Sequence, residues 1–155
     1  MTAQPIPEGF HTITPHLTLK GAKEAIAFYR KAFGAETLWI HEMPGTEVVM
    51  NACLRIGDTP LMLNDEFPDH GVVGPQGRSP VVIHLYVEDV DAAFQRAVDA
   101  GATVLYPIEN AFWGDRYGML QDPFGHAWSI ATHVEDVPPE EMGERAMKAF
   151  GGGGA

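Results

Sequence analysis

Apolar positions along the chain follow two different periods. Ala22, Ala25, Ile26, Tyr29 and Phe33 recur every three or four places, with charged residues between them. That spacing lays one apolar stripe along a helix. A second stripe, Val90, Ala93, Phe94, Ala97 and Val98, predicts another helix. Gly34 and Gly101 stand where a left-handed C-terminal cap is wanted. Asp89 is placed to accept backbone donors as an N-cap, whereas Gly21 is a weaker start for the first helix.

Elsewhere the pattern alternates, as strands do. His16 to Leu19, Val48 to Ile56, Leu61 to Asn64 and Val81 to Val87 read this way. So do Thr103 to Pro107, Tyr117 to Gln121 and Ala127 to Thr132, with Asp122-Pro123-Phe124-Gly125 as a turn. The order strand, helix, three strands occurs twice, which predicts an α+β chain of two paired βαβββ modules. The first module spans residues 1–66 and the second 80–133, joined by a linker over 67–79 rich in Gly and Pro. Residues 134–155 form a tail, with a helix over 138–149 and a flexible glycine end. The helices are expected on the outer faces of half-open sheets. Such sheets leave open edges and an apolar rim, so a homodimer is expected, with the tail helix embracing the partner.

Charge narrows the partners. The 155 residues carry 10 basic and 21 acidic side chains, a net charge of −11. Nucleic acid and anionic membrane surfaces both require a basic face, and neither is expected. No apolar run is long enough to span a bilayer, and the N-terminus has no secretory pattern. The single cysteine, Cys53, excludes an intrachain disulfide framework and a multi-cysteine zinc site. It alternates with apolar neighbours and reads as an inert buried residue. A cytoplasmic location follows as the expectation.

Several segments together resemble the vicinal oxygen chelate superfamily, in its PhnB-like glyoxalase/bleomycin-resistance branch. They are Thr14-Pro15-His16-Leu17, Ala25-Ile26-Ala27-Phe28-Tyr29 with Phe33-Gly34-Ala35, and His84-Leu85-Tyr86-Val87-Glu88-Asp89-Val90-Asp91. Phe112-Trp113-Gly114-Asp115-Arg116-Tyr117-Gly118 and Asp122-Pro123-Phe124-Gly125-His126-Ala127-Trp128 complete the set. The resemblance covers residues 11–133 and implies the glyoxalase/bleomycin-resistance/dihydroxybiphenyl dioxygenase-like fold, with a ligand cleft between modules. Fold alone does not fix activity.

Metal-using members of that superfamily take four ligands from the first and last strands of the two modules. The resemblance puts those positions at Thr14, Met62, Val82 and Ser129 here. Valine cannot bind a metal, and hydroxyl and thioether groups are poor ligands for zinc, nickel or iron. The usual metal set is therefore not filled. His16 and His84 lie two residues further along each first strand, on the same strand face, and are the remaining metal candidates. Their simpler role is as polar walls of a ligand cleft, together with Asn64.

Trp113, Arg116 and Tyr117 complete the candidate ligand-binding set. The two aromatic rings suit stacking on a planar ligand, and Arg116 suits a two-point fork on an anionic group. The structural alternative pairs Arg116 with an acid such as Asp115 or Asp122. His11, His41, His70 and His133 show no ligand spacing and read as solvated. The expected function is small-molecule binding in the inter-module cleft without a metal in the usual site. The alternative is a divalent-metal-dependent lyase, isomerase or dioxygenase using a displaced His16/His84 site. No catalytic residue is assigned.

Overall fold

A computed structural model describes residues 2–151. Strand β1 (His16–Leu19) leads into helix α1 (Ala22–Phe33), then β2 (Glu36–Glu42), β3 (Val49–Ile56) and β4 (Thr59–Asp65). After a short turn of helix at Pro68–His70 come β5 (Val82–Tyr86), α2 (Val90–Ala100), β6 (Thr103–Asn110), β7 (Asp115–Gln121) and β8 (Ala127–His133). Helix α3 spans Pro139–Phe150. The expected glycine-rich end, residues 152–155, lies outside the described residues.

The strands make two four-stranded sheets of identical plan, ordered β1-β4-β3-β2 and β5-β8-β7-β6. The first strand of each is an edge and runs parallel to the last, while the other neighbours are antiparallel. The α+β repeat legible in the sequence is thus the fold. The strand β2 escapes a simple alternation because its pairing with β3 shifts register between Thr37 and Trp39 and again between His41 and Glu42.

The helices do not sit on the outside. Helix α1 packs against α2, and one buried cluster joins them to the facing sides of both sheets. The reason is the width of the apolar arc on α1. Phe28 and Ala32 are buried in addition to the stripe residues, so α1 has apolar surface for more than one neighbour. Tyr29 and Phe33 of α1 reach Trp128 on β8 at ring distances of 5.4 and 4.5 Å. The two opposite sheet faces consequently turn away from the helices. Tyr86, Tyr106, Val82 and Met50 are among the large apolar or aromatic residues left exposed in the strands.

Helix starts are secured differently in the two modules. Asp89 caps α2 with its own side chain, accepting from Ala92 N at 3.1 Å. Gly21 has no side chain to offer α1. Asp65 at the end of β4 replaces it, its Oδ1 accepting from Gly21 N and Ala22 N at 3.0 and 2.8 Å. Its Oδ2 accepts from Val49 N at 2.7 Å, tying β3 into the same junction.

The turn of Asp122 is the deepest polar feature. This carboxylate, 3% exposed, accepts from Phe124 N, His126 N, Trp128 Nε1 and the Tyr29 hydroxyl. Four donors thus satisfy the two carboxylate oxygens, as burial of a carboxylate demands.

Candidate functional site

Strand alternation sorts the candidates by face. In the first sheet Leu17, Leu19, Leu61 and Leu63 enter the core, so His16, Thr18, Met62 and Asn64 lie on the face away from α1. There His16 Nε2 donates to Asn64 Oδ1 at 2.5 Å, and Asn64 Nδ2 donates to the Asp65 carbonyl at 2.7 Å. Asn64 is buried and His16 exposed. Cys53 is also on this face, opposite Met62 and Trp39, and is buried outside the main core cluster.

In the second sheet Gly118 faces α2, because a Cβ there would stand 2.6 Å from the Phe94 ring. Arg116 lies on that same side by alternation. Its guanidinium forks onto Asp91 in the first turn of α2, both contacts at 2.9 Å. The acid that pairs with Arg116 is thus Asp91, rather than Asp115 or Asp122. The charge of Arg116 beside it holds the Asp91 carboxyl below its ordinary value, chiefly through that hydrogen bond.

The opposite face of the second sheet gathers His84, Tyr86, Asp115, Tyr117, Ser129 and His133. His84 Nδ1 meets the Ser129 hydroxyl at 2.5 Å, and Tyr86 stands edge-on to His84 at 4.6 Å. Asp115 is 4% exposed and receives three side-chain donors. They are His133 Nδ1 at 2.7 Å, the Tyr86 hydroxyl at 2.9 Å and Trp113 Nε1 at 3.1 Å. Trp113, half-buried, leans on Tyr117 with centroids 5.1 Å apart, and Tyr117 stacks on Tyr106 at 5.7 Å. A hollow lined by Tyr86, Val87, Glu88, Thr132 and His133 adjoins this row.

Burial pushes the Asp115 pKa up, but the hydrogen bonds from His133, Tyr86 and Trp113, with the charge of His133, outweigh it and hold the carboxyl low. His133 is raised, first by its hydrogen bond to Asp136 and then by that to Asp115.

Of the sequence candidates, His84, Trp113 and Tyr117 thus join one contact network, and His16 with Asn64 forms another on the first sheet. Among the described residues no hydrogen bond, ion pair or ring contact links the two groups. Arg116 belongs to neither, being on the helix side. The residues that sequence reasoning missed are Tyr86, Asp115 and His133. Tyr86 had a signal: it is two residues beyond His84 and shares its strand face. His133 had none, since its meeting with Asp115 depends on the β7–β8 register.

His16 is engaged by an amide and His84 by a hydroxyl, and no carboxylate accompanies either. Among the described residues no three His, Cys, Asp or Glu side chains are grouped to hold a metal ion. The described residues do not fit a catalytic metal. No helix among the described residues is long and apolar enough to cross a membrane.

Comparison with known proteins accords with this architecture. Residues 10–130 match the model of the Glyoxalase/Bleomycin resistance protein/Dioxygenase superfamily. Protein Mb0911c of Mycobacterium bovis is 44% identical over 149 residues, covering 91% of this chain and 95% of its own. Among solved structures, TioX from Micromonospora sp. ML1 superposes with a TM-score of 0.64 at 24% identity, covering 80% of this chain and 99% of TioX. The PhnB protein from Bacillus cereus gives 0.63 at 20% identity, covering 79% and 99%. At those identities the two structures speak for the fold, and the family match over most of the chain carries the assignment. The chain belongs to the Glyoxalase/Bleomycin resistance protein/Dioxygenase superfamily.

Proposed function

We propose that this protein binds a planar, positively charged small molecule on the outer face of its second sheet. The observation that carries the reading is the aromatic row Tyr106, Tyr117, Trp113 and Tyr86 gathered about the Asp115 carboxylate. Flat π-faces suit a planar ligand, and a cation over them gains from the ring quadrupole. Charge on that face points the same way. No Lys or Arg of β5, β6, β7 or β8 lies on it, since Arg116 is turned toward α2, and His133 on this face is bracketed by the Asp115 and Asp136 carboxylates. Glu109, directly opposite Tyr117 in the sheet, accepts the Tyr106 hydroxyl and adds a second carboxylate. The net charge of −11 favours a cation at longer range.

A binding role is favoured over an enzymatic one because the strand histidines lack the ligands that metal chemistry needs. We further propose a homodimer in the cytoplasm, its interface drawing on the exposed apolar residues of the two outer sheet faces. Light scattering on the purified chain tests the dimer, and a monodisperse monomer at micromolar concentration overturns it.

The ligand class is tested by titrating a planar acridinium dye and a planar sulfonated dye of similar size. Tryptophan fluorescence and calorimetry are read together. The acridinium dye is expected to bind more tightly, to quench fluorescence in the native protein, and to bind weakly to Trp113→Ala and Tyr86→Ala. Equal affinity for both dyes, or binding indifferent to the two substitutions, refutes the reading.

A further inference from the structure

The chain leaving β8 does not run off into solvent. It doubles back over the corner that holds Trp113. Val134 N and Glu135 N both donate to the Gly114 carbonyl, at 2.9 and 3.0 Å. Gly114, at φ 103°, is the one residue type that permits this approach, since a Cβ there would collide with the Glu135 carbonyl oxygen. Beyond the crossing, Arg145 on α3 forks onto Glu135 at 2.5 and 2.9 Å. Phe150 at the end of α3 stands edge-on to Phe112, the neighbour of Trp113, at 5.6 Å. Yet no residue of α3 is fully buried. The segment is laid on the surface and held at a few points.

One of those points can change charge. His133, the last residue of β8, bridges the sheet to the segment. Its Nδ1 bonds Asp115 and its Nε2 bonds Asp136, each at 2.7 Å. A neutral imidazole has one ring N–H and can donate to only one carboxylate, whereas an imidazolium donates to both. We propose that residues 134–150 are a strap over the Trp113 corner, buckled by protonated His133 and released when His133 loses its proton. The strap stands on this geometry alone. That its release uncovers a ligand platform rests on the binding reading above.

The groups around the imidazole agree in sign. From β7 comes Asp115, and from the segment Asp136, with Glu135 already neutralised by Arg145. From β5 comes the neutral Tyr86 hydroxyl, itself donating to Asp115, and Glu88 lines the adjoining hollow. Nothing cationic faces the ring among these contacts. The two carboxylate hydrogen bonds raise the pKa of His133. A raised pKa places the bond's full contribution below the unfolded value of about 6.5 and its loss as pH climbs through the folded value. Release is therefore an alkaline event.

Amide hydrogen exchange of the full chain across about pH 6 to 9, corrected for intrinsic exchange rates, tests this in the range where imidazole titrates. In the native protein, protection over residues 134–150 is expected to fall by about threefold to tenfold with rising pH, the size of one exposed charge-assisted contact. His133→Gln and Asp136→Asn are expected to show low protection at every pH, with β7 and β8 still protected. Asp136 projects fully into solvent, so its variant does not threaten folding. A strap protected equally across the range overturns the proposal, as does a pH step that survives in either variant. No dye enters this experiment. A titrating strap in a protein that ignores the acridinium dye would sink the binding reading and leave the buckle standing.

Discussion

Tyr29 on the helix of the first module donates its hydroxyl to Asp122 in the last turn of the second, at 2.5 Å and out of contact with water. The bond crosses between two halves whose sheets do not pair with each other, beside the contacts of Arg96 with the Lys31 carbonyl and of His126 with the Thr18 carbonyl. Burial first, and the neighbouring Asp122 charge second, push the Tyr29 pKa well above its ordinary value, so the phenol remains a donor throughout the accessible pH range. Tyr29→Phe keeps the ring and removes the donor. It is expected to lower stability by about 1–3 kcal/mol, the usual effect of leaving a buried acceptor short of one partner. Urea unfolding measures this directly. An unchanged midpoint would show that the three remaining donors satisfy Asp122 unaided.

Gly114→Ala addresses the crossing of the tail. The substitution both strains a left-handed backbone and drives a methyl into the Glu135 carbonyl. A loss of about 1–3 kcal/mol is expected from the backbone conformation and the displaced contact together. The displacement should appear in amide exchange at 134–137 and in the emission of Trp113. A variant that melts like the parent would mean the tail does not rest on this loop.

Arg116→Lys separates the two faces of β7. The fork onto Asp91 is exposed, and exposed ion pairs contribute little. Thermal melts are expected to be nearly superimposable with the parent, and dye affinity unchanged. A marked loss of dye binding in Arg116→Lys would require the guanidinium to reach a ligand from the helix side.

Asp115→Asn probes the acid limb of stability. Asp115 is held below its ordinary pKa. Such a group stabilises the fold above the unfolded value of about 3.9 and loses that contribution as pH falls through the folded value. Urea unfolding at neutral pH and at about pH 3 should therefore show the parent losing more stability on acidification than Asp115→Asn. Parallel losses would assign the acid sensitivity to other carboxylates.

The sequence made the repeat, both helices and the caps at Asp89, Gly34 and Gly101 legible, because each depends on residues a few places apart. The helix layer was read on the wrong side because the stripe on α1 was counted without Phe28 and Ala32, whose burial requires a second neighbour. The site was half legible. Starting β7 at Tyr117 treated Trp113 to Arg116 as a loop and put Arg116 beside the aromatic rings. With the strand starting at Asp115, alternation alone sends Asp115 and Tyr117 to one face and Arg116 to the other. His133 looked solvated because its two carboxylates are brought to it by strand pairing and by the returning tail, neither of which leaves a local pattern.

Asp65 has a consequence for how the chain becomes ordered during synthesis. Among the described residues it is the one acid whose side chain caps the start of α1, and it follows that helix by more than thirty residues. A ribosome that has delivered the whole of α1 has not yet delivered the group that ends its fraying. Twelve residues with a glycine start make a marginal helix in water. The helix is therefore expected to gain its cap only once β3 and β4 form a hairpin, and since Asp65 also holds Val49, the same carboxylate secures hairpin and helix together. Loop closure, rather than helix growth, is then expected to limit the rate at which the first module forms, and a substitution at Asp65 to slow refolding in stopped-flow fluorescence.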